Sequence, residues 1–280
     1  MTILSGKEYA AQYDEKLAQQ VADLKKSGKN PFFCVINVGD DPASEIYVRT
    51  KARKAEKLGI DHQMYHLPGS ASETEIIDLI HQLNDDPKVT AYLVQLPLPD
   101  GIDEKKVLAE IDPNKDADGL TLENIGSLWQ GDHFVEPATA NGIVNLLRDK
   151  QIEIDGKHCV IIGRSNIVGK PLAALMLEEN ATVTILHSHT KNLPELTKQA
   201  DILVAALGQA NFVTADMVKE GAVVIDVGIN RVGKKLYGDV DFESVSPKAS
   251  YITPVPGGVG PITVEFLMEA VVKLTRRQDG

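Results

Sequence analysis

Apolar residues recur along this chain in two alternating rhythms. Over residues 5–27, Tyr9, Tyr13, Leu17, Val21 and Leu24 fall three or four apart and the run stops at Ser27-Gly28, which predicts an amphipathic helix. A short apolar run then follows, 31–38 (PFFCVINV), closed by Gly39-Asp40-Asp41-Pro42 and read as a buried strand. The alternation continues with a helix over about 43–58 closed by Gly59, a strand over 60–67, a helix over 73–83 and a strand over 91–96. Strands separated by helices of this length predict parallel βαβ units. Residues 97–139 are less regular, with Pro97-Leu-Pro99, an acidic turn at Asp112-Pro113-Asn114, and Gly119, Gly126 and Gly131. A stretch this long reads as a functional loop or a domain connection. Beyond it come a helix over 141–150, strands over 159–162, 181–186, 200–207, 222–227 and 251–254, and a last helix over 262–277. That helix is apolar on more than one side, so it is expected to pack back across the first domain. The fold class is therefore α/β with two domains, residues 1–140 plus 262–280 forming one and 141–261 the other.

The stretch His158–Pro171, HCVIIGRSNIVGKP, organises the second domain. A buried strand runs into Gly163 and a helical pattern starts just after Gly169 and Pro171, an arrangement that aims backbone N–H groups and a positive helix end at a phosphate. The glycine spacing is irregular, because Ser165 stands at the second glycine position and the last glycine arrives late, at 169. Such a loop alone is a weak signal. The next strand supplies a second one. Dinucleotide folds that take NAD place an acid about 20 residues after the glycines to hold the ribose hydroxyl. Here the strand ends in His187-Ser188-His189-Thr190-Lys191, with no carboxylate, and Arg164 sits in the first loop. This predicts a Rossmann-like domain that binds NADP in preference to NAD.

Composition narrows the partners. Hydrophobic content of 43% with 25% charged residues belongs to a globular chain, and no apolar run approaches the ~18 residues that span a bilayer. The first twenty residues carry Glu8, Asp14 and Glu15 and resemble no leader, so the cytoplasm is expected. A net charge of −11 argues against a nucleic acid or an anionic membrane as partner. Cys34 and Cys159 lie in apolar runs without a second ligand at metal spacing, so neither a metal site nor a disulfide is expected.

Candidate chemistry lies in the first domain. Tyr47 and Lys51 are four residues apart and share a helix face. A similar Tyr-x-x-x-Lys pair in short-chain dehydrogenases follows the glycine loop, whereas this one precedes Gly163 by 116 residues (163 − 47), so that family is rejected. In a helix that also carries Arg49, Arg53, Lys54 and Lys57, a solvated charge run is the plainer reading of Lys51. Two other residues favour chemistry. Gln95 ends a buried strand, at the carboxyl edge where open parallel sheets bind ligands, and Asp118 beside Gly119 can accept two parallel hydrogen bonds from an N–C–N edge. The plain alternatives are a buried amide bonded to backbone and an ordinary turn residue.

Eight segments in order, PASEIYVRTK (42–51), VQLPLP (94–99), DPNKDADG (112–119), GRSNIVGKP (163–171), HSHT (187–190), DVGIN (226–230), GDVDF (238–242) and TPVPGGVGPIT (253–263), resemble the bifunctional methylenetetrahydrofolate dehydrogenase/methenyltetrahydrofolate cyclohydrolase family along nearly the whole chain. The resemblance implies an enzyme of one-carbon metabolism that supplies purine biosynthesis. It would oxidise 5,10-methylenetetrahydrofolate with NADP and hydrolyse the product to 10-formyltetrahydrofolate. It implies that Tyr47 stacks on the folate, that Lys51 is the central catalytic residue with Ser44 one turn earlier, and that Gln95 orients or tunes the lysine. Asp118 would grip the pterin. Gly163, Arg164, Ser165, Ile167, Val168 and Gly169 would hold the NADP phosphates, with Arg164 and Ser188 on the 2′-phosphate. Pro256, Gly257 and Ile229 would wall the cleft where nicotinamide meets folate. A homodimer through the nucleotide domain is also implied.

The chain departs from the family pattern at three places. Pro137-Ala-Thr-Ala-Asn-Gly142 lacks a cysteine and a second proline, His189 stands where an arginine or lysine is common, and Ile262 replaces a methionine. A histidine is largely neutral above pH ~6.5, so NADP selectivity is expected to be softer or pH-dependent. Cellular folates carry glutamate tails, and the basic face of the 43–58 helix, or lysines near it, is expected to attract them. The rival reading is another two-domain NADP-dependent dehydrogenase, acting on an amino acid or a shikimate-like substrate; a silent NADP-binding regulator is a third.

Overall fold

Two parallel sheets carry the chain, which is described from a computed structural model at residues 1–233 and 235–278. Lys234, Asp279 and Gly280, which fall within the expected domain ranges, lie outside the described residues. The elements run β1 (Thr2–Ile3), α1 (Gly6–Lys26), β2 (Phe32–Val38), α2 (Pro42–Leu58), β3 (Asp61–Leu67), α3 (Glu73–Asp85), β4 (Ala91–Val94), α4 (Glu104–Ala109), α5 (Leu122–Gln130) and α6 (Ala138–Asp149). They continue with β5 (His158–Ile162), α7 (Gly169–Glu178), β6 (Thr182–Leu186), α8 (Leu193–Thr197), β7 (Ile202–Ala205), β8 (Val223–Asp226), β9 (Asn230–Val232), β10 (Lys235–Tyr237), α9 (Phe242–Val245), β11 (Tyr251–Ile252) and α10 (Val259–Arg277).

The chain divides into two compact units, Met1–Ala11 with Thr139–Thr263, and Gln12–Ala138 with the segment from Val264 on. In the unit containing α2, three parallel strands lie in the order β3-β2-β4. The central strand β2 is buried from Phe33 to Val38, and edge strand β3 alternates in exposure, as a strand with one solvated face must. Local chemistry sets the helix limits. Asp41 caps α2 by accepting from the Ser44 amide at 2.8 Å, and Pro42 opens its first turn. Gly59 closes the helix at φ 75°, a conformation a side chain would strain. The end of α10 belongs here too: Thr275 donates to Thr90, Lys273 pairs with Glu136, and Phe266 stacks on Tyr13.

The other unit holds six parallel strands in the order β1-β11-β8-β7-β5-β6. The chain leaves β5 toward β6 on one side and returns to β7 on the other, so the carboxyl end of β5 is the topological switch point where such sheets bind ligands. A core of Val160, Ile162, Leu203, Val224 and Ile252 backs the sheet.

Three features differ from expectation. Residues 97–139 contain two capped helices, α4 and α5, whose short lengths give little periodic signal. Strand β1 escapes any pattern because it is two exposed residues long. It nevertheless pairs with β11 and draws the first eleven residues, expected in the first domain, into the six-stranded unit. The antiparallel pair β9–β10 and the short α8 and α9 are likewise invisible as periodic runs.

Candidate active site

Lys51 points from α2 into protein. Its side chain is 9% exposed, and its Nζ donates to Gln95 Oε1 at 2.9 Å. The Gln95 amide is held in that orientation because its Nε2 donates to the Leu96 carbonyl at 2.8 Å, just past the end of β4. Burial pushes the Lys51 pKa below its ordinary value, and the carboxylate of Asp118 partly restores it. The reciprocal effect holds at Asp118, where burial raises the pKa and Lys51 opposes the rise. Ser44 is buried one turn before Tyr47, while Tyr47 is 36% exposed, with its phenol pKa raised by burial of the polar end. This unit therefore brings together Ser44, Tyr47, Lys51, Gln95 and Asp118 from α2, the end of β4 and the loop before α5. The group can bind a planar donor edge at a carboxylate, offer an aromatic face, and present an amine of lowered basicity.

The loop that carries Asp118 has its own anchors, which sequence reasoning missed. Asp116, 1% exposed, accepts from the amides of Gly119 and Thr121 and from Asn124 Nδ2. Buried Lys115 donates to the carbonyls of Leu83, Asn84 and Asp86 at the end of α3. The charged pair in KDADG thus fixes the loop that carries Asp118.

Basic residues of α2 have acidic partners. Arg49 pairs with Glu45, Lys57 with Asp14, and Lys54 with both Asp14 and Glu265. Lys54 is turned inward at 14% exposed, whereas Arg49 and Lys57 remain 71% and 64% exposed beside their acids, and Arg53 is exposed as well.

In the six-stranded unit the glycine loop has the close packing a dinucleotide cradle needs. A Cβ on Gly163 would lie 2.1 Å from the Ala206 carbonyl oxygen, and one on Gly169 would lie 2.2 Å from the Gly163 oxygen. Ser165 Oγ, at the second glycine position, accepts from the amides of Val168 and Gly169 and so ties the turn to α7. Arg164, Ser165 and Ile167 are exposed above it, and Val168 is buried beneath. At the end of β6, His187–Thr190 forms a turn closed by the Thr190 amide on the His187 carbonyl, with Ser188 and His189 exposed at its tip. No carboxylate stands there, so these residues fit a phosphorylated ribose better than a free one. Pro256 is exposed in the turn before α10, where the Gly257 carbonyl accepts from the Lys7 amide. Ile229 reaches the same turn, its Cδ1 being 3.5 Å from where a Cβ on Gly260 would sit.

The cysteines are buried and unpaired, with thiol pKa values pushed up to about 12 by burial, and they are inert. Among the described residues no group of acids, histidines and cysteines could hold a metal ion, and no helix is long and apolar enough to cross a membrane.

A fold with a dinucleotide cradle in one unit and a buried lysine site in the other defines a two-domain nucleotide-dependent enzyme. The chain belongs to the tetrahydrofolate dehydrogenase/cyclohydrolase family: its catalytic-domain pattern matches residues 4–118 and its NAD(P)-binding-domain pattern residues 137–279. The "Bifunctional protein FolD" of Lactobacillus acidophilus is 63% identical over 278 residues, 99% of this chain and 98% of the relative. The crystal structure of the bifunctional FolD enzyme of Campylobacter jejuni has a TM-score of 0.96 at 46% identity, covering 99% of both chains. That of Trypanosoma brucei, complexed with NADP cofactor and inhibitor, has a TM-score of 0.95 at 36% identity, covering 99% of this chain and 98% of that one.

Proposed function

We propose that this chain oxidises 5,10-methylenetetrahydrofolate to 5,10-methenyltetrahydrofolate with NADP and hydrolyses the product to 10-formyltetrahydrofolate. The observation that carries this reading is the buried Lys51–Gln95 pair, coupled to Asp118, in a chain of the tetrahydrofolate dehydrogenase/cyclohydrolase family. NADP supplies a hydride acceptor. The carbon that loses the hydride lies between two nitrogens that stabilise the resulting cation, so no proton need move and positioning does most of the work. Tyr47 is assigned to the face of the folate, Asp118 to the donor edge of its pterin, and Ser44 to the folate beside them. Hydrolysis adds water to the methenyl carbon and breaks its bond to one ring nitrogen, releasing one proton overall. Lys51 carries that proton, its lowered pKa keeping a neutral fraction available, and Gln95 orients its amine.

In this reading the unit with α2 and the end of α10 is the folate-binding catalytic domain, and the six-stranded unit binds NADP. Gly163, Arg164, Ser165, Ile167, Val168 and Gly169 hold the phosphates, Arg164, Ser188 and His189 the 2′-phosphate, and Ile229, Pro256 and Gly257 the nicotinamide side. Strand β6 pairs on one edge only, which supports a homodimer through this unit. Two unpaired buried cysteines and the acidic composition support a cytoplasmic enzyme. The family match disfavours the amino-acid or shikimate-like alternative.

The test is an assay with 5,10-methylenetetrahydrofolate and either NADP or NAD, following the reduced cofactor, methenyl and formyl products. NADP reduction followed by formyl product is expected. Reduction of NADP only with a different substrate would overturn the reading.

A further inference from the structure

Two carboxylates in the six-stranded unit are buried, and among the described residues no cation is paired with either. Asp239 is 0% exposed and Asp226 3%. Asp239 Oδ2 accepts from the amides of Leu207 and Gly208, at 2.7 and 3.0 Å, and its Oδ1 accepts from the Gln209 amide and Asn230 Nδ2, at 2.8 and 2.9 Å. Asp226 Oδ1 accepts from the amides of Gly228 and Asp239, and its Oδ2 from that of Val240. An ionised carboxylate away from water is tolerated when its lone pairs are filled this way. The neighbouring glycines are part of the arrangement: a Cβ on Gly228 would lie 2.2 Å from Asp239 Oδ1, and one on Gly238 would lie 1.7 Å from Asp226 Oδ2. The segments DVGIN and GDVDF are therefore two halves of one lock.

What the lock holds is the carboxyl edge of the sheet. Residues 207–209 follow β7 and residues 227–229 follow β8, and Gly163 abuts Ala206 immediately before the first of these loops. Ile229 stands between Gly228, bound to Asp226, and Asn230, bound to Asp239, so both of its flanks are tied to a buried acid.

We propose that Asp239, backed by Asp226, is a positioning residue for the dinucleotide: it fixes the 207–209 loop and Ile229 along the path from the Gly163 phosphate loop to the nicotinamide end. This rests on the assignment of NADP to that edge. Misplacement of a binding loop by about 1 Å can cost on the order of 10²-fold. Asp239→Asn would turn an amide N–H₂ toward groups that are all donors, pushing the loops apart without removing a side chain's volume.

The experiment compares wild type and Asp239→Asn by direct NADP titration, by KM for NADP and for methylenetetrahydrofolate, and by hydrolysis of methenyltetrahydrofolate without dinucleotide. NADP affinity is expected to weaken about tenfold or more and its KM to rise in parallel, while folate KM and hydrolysis stay at wild-type values. Unchanged NADP affinity, or NADP binding and hydrolysis falling together with the folded fraction, would overturn the proposal. If Asp239→Asn does not fold, Asn230→Ala, which removes one of the four donors, decides by the same criteria with an expected loss of a few-fold. Wild-type protein that binds NADP but does not turn over folate would sink the functional reading alone, because the titration still tests the lock.

Discussion

Lys51 depends on what Gln95 is. A neutral amide oxygen 2.9 Å from the amine satisfies one N–H without adding charge, so burial keeps control of the lysine pKa. Gln95→Glu would place a carboxylate there and favour the ammonium form. The lysine pKa rises, and because hydrolysis uses the neutral amine, the rising limb of the hydrolysis profile is expected to move up by about one pH unit or more, measured from pH 6 to 10. An unmoved limb would show that the lysine is not the titrating group. Lys51, Gln95 and Asp118 could be put forward from the sequence only through the family resemblance, because a helix face, a strand end and a glycine turn each admit a plainer reading. Asp116, Asp226 and Asp239 were not put forward, because their partners are backbone amides brought in by distant loops. Only the adjacent glycines, Gly228 and Gly238, carried a trace of them.

At the scale of elements, three helices meet on a buried ionic cluster. Lys54 from α2 is shared by Asp14 of α1 and Glu265 of α10, with Lys57 adding to Asp14 from outside. Glu265 is 0% exposed, and burial lifts its pKa to about 7, with Lys54 opposing and Asp14 reinforcing the rise. Because the folded value exceeds the ordinary 4.5, the folded state holds the proton more tightly than the unfolded one. Stability therefore falls as pH rises from about 4.5 to about 7 and levels off above, a change of up to about 3 kcal/mol. Asp226, raised by burial to about 6, adds a smaller slope of the same sign, so Glu265→Gln should reduce the slope between pH 5.5 and 8 and leave Tm at pH 8 equal to or above wild type, as thermal melts at the two pH values would check. An undiminished slope would place its origin elsewhere. Helical spacing made α1, α2 and α10 readable as elements. It gave no hint that charged residues on three of them converge, since a lysine facing inward and one facing water have the same periodicity. Strand β1 was lost for the opposite reason, having two residues and no pattern.

For the whole molecule, alternation of strands and helices predicted an α/β chain with parallel sheets, and the family match agrees. What remained hidden was connectivity by contact, as in the first eleven residues, because pairing of β1 with β11 joins residues nearly the whole chain apart. The net charge of −11 and the pairing of Arg49, Lys54 and Lys57 with acids lower the long-range attraction of α2 for acidic tails.

The central claim is that one amine performs the hydrolysis while hydride transfer relies on placement. Lys51→Met tests it most directly, assayed with methenyltetrahydrofolate for formyl product and by titration for folate binding. Hydrolysis is expected to fall by about 10²–10⁴-fold, the usual contribution of a general acid–base group, with folate binding still measurable. Hydrolysis at the wild-type rate would contradict the account.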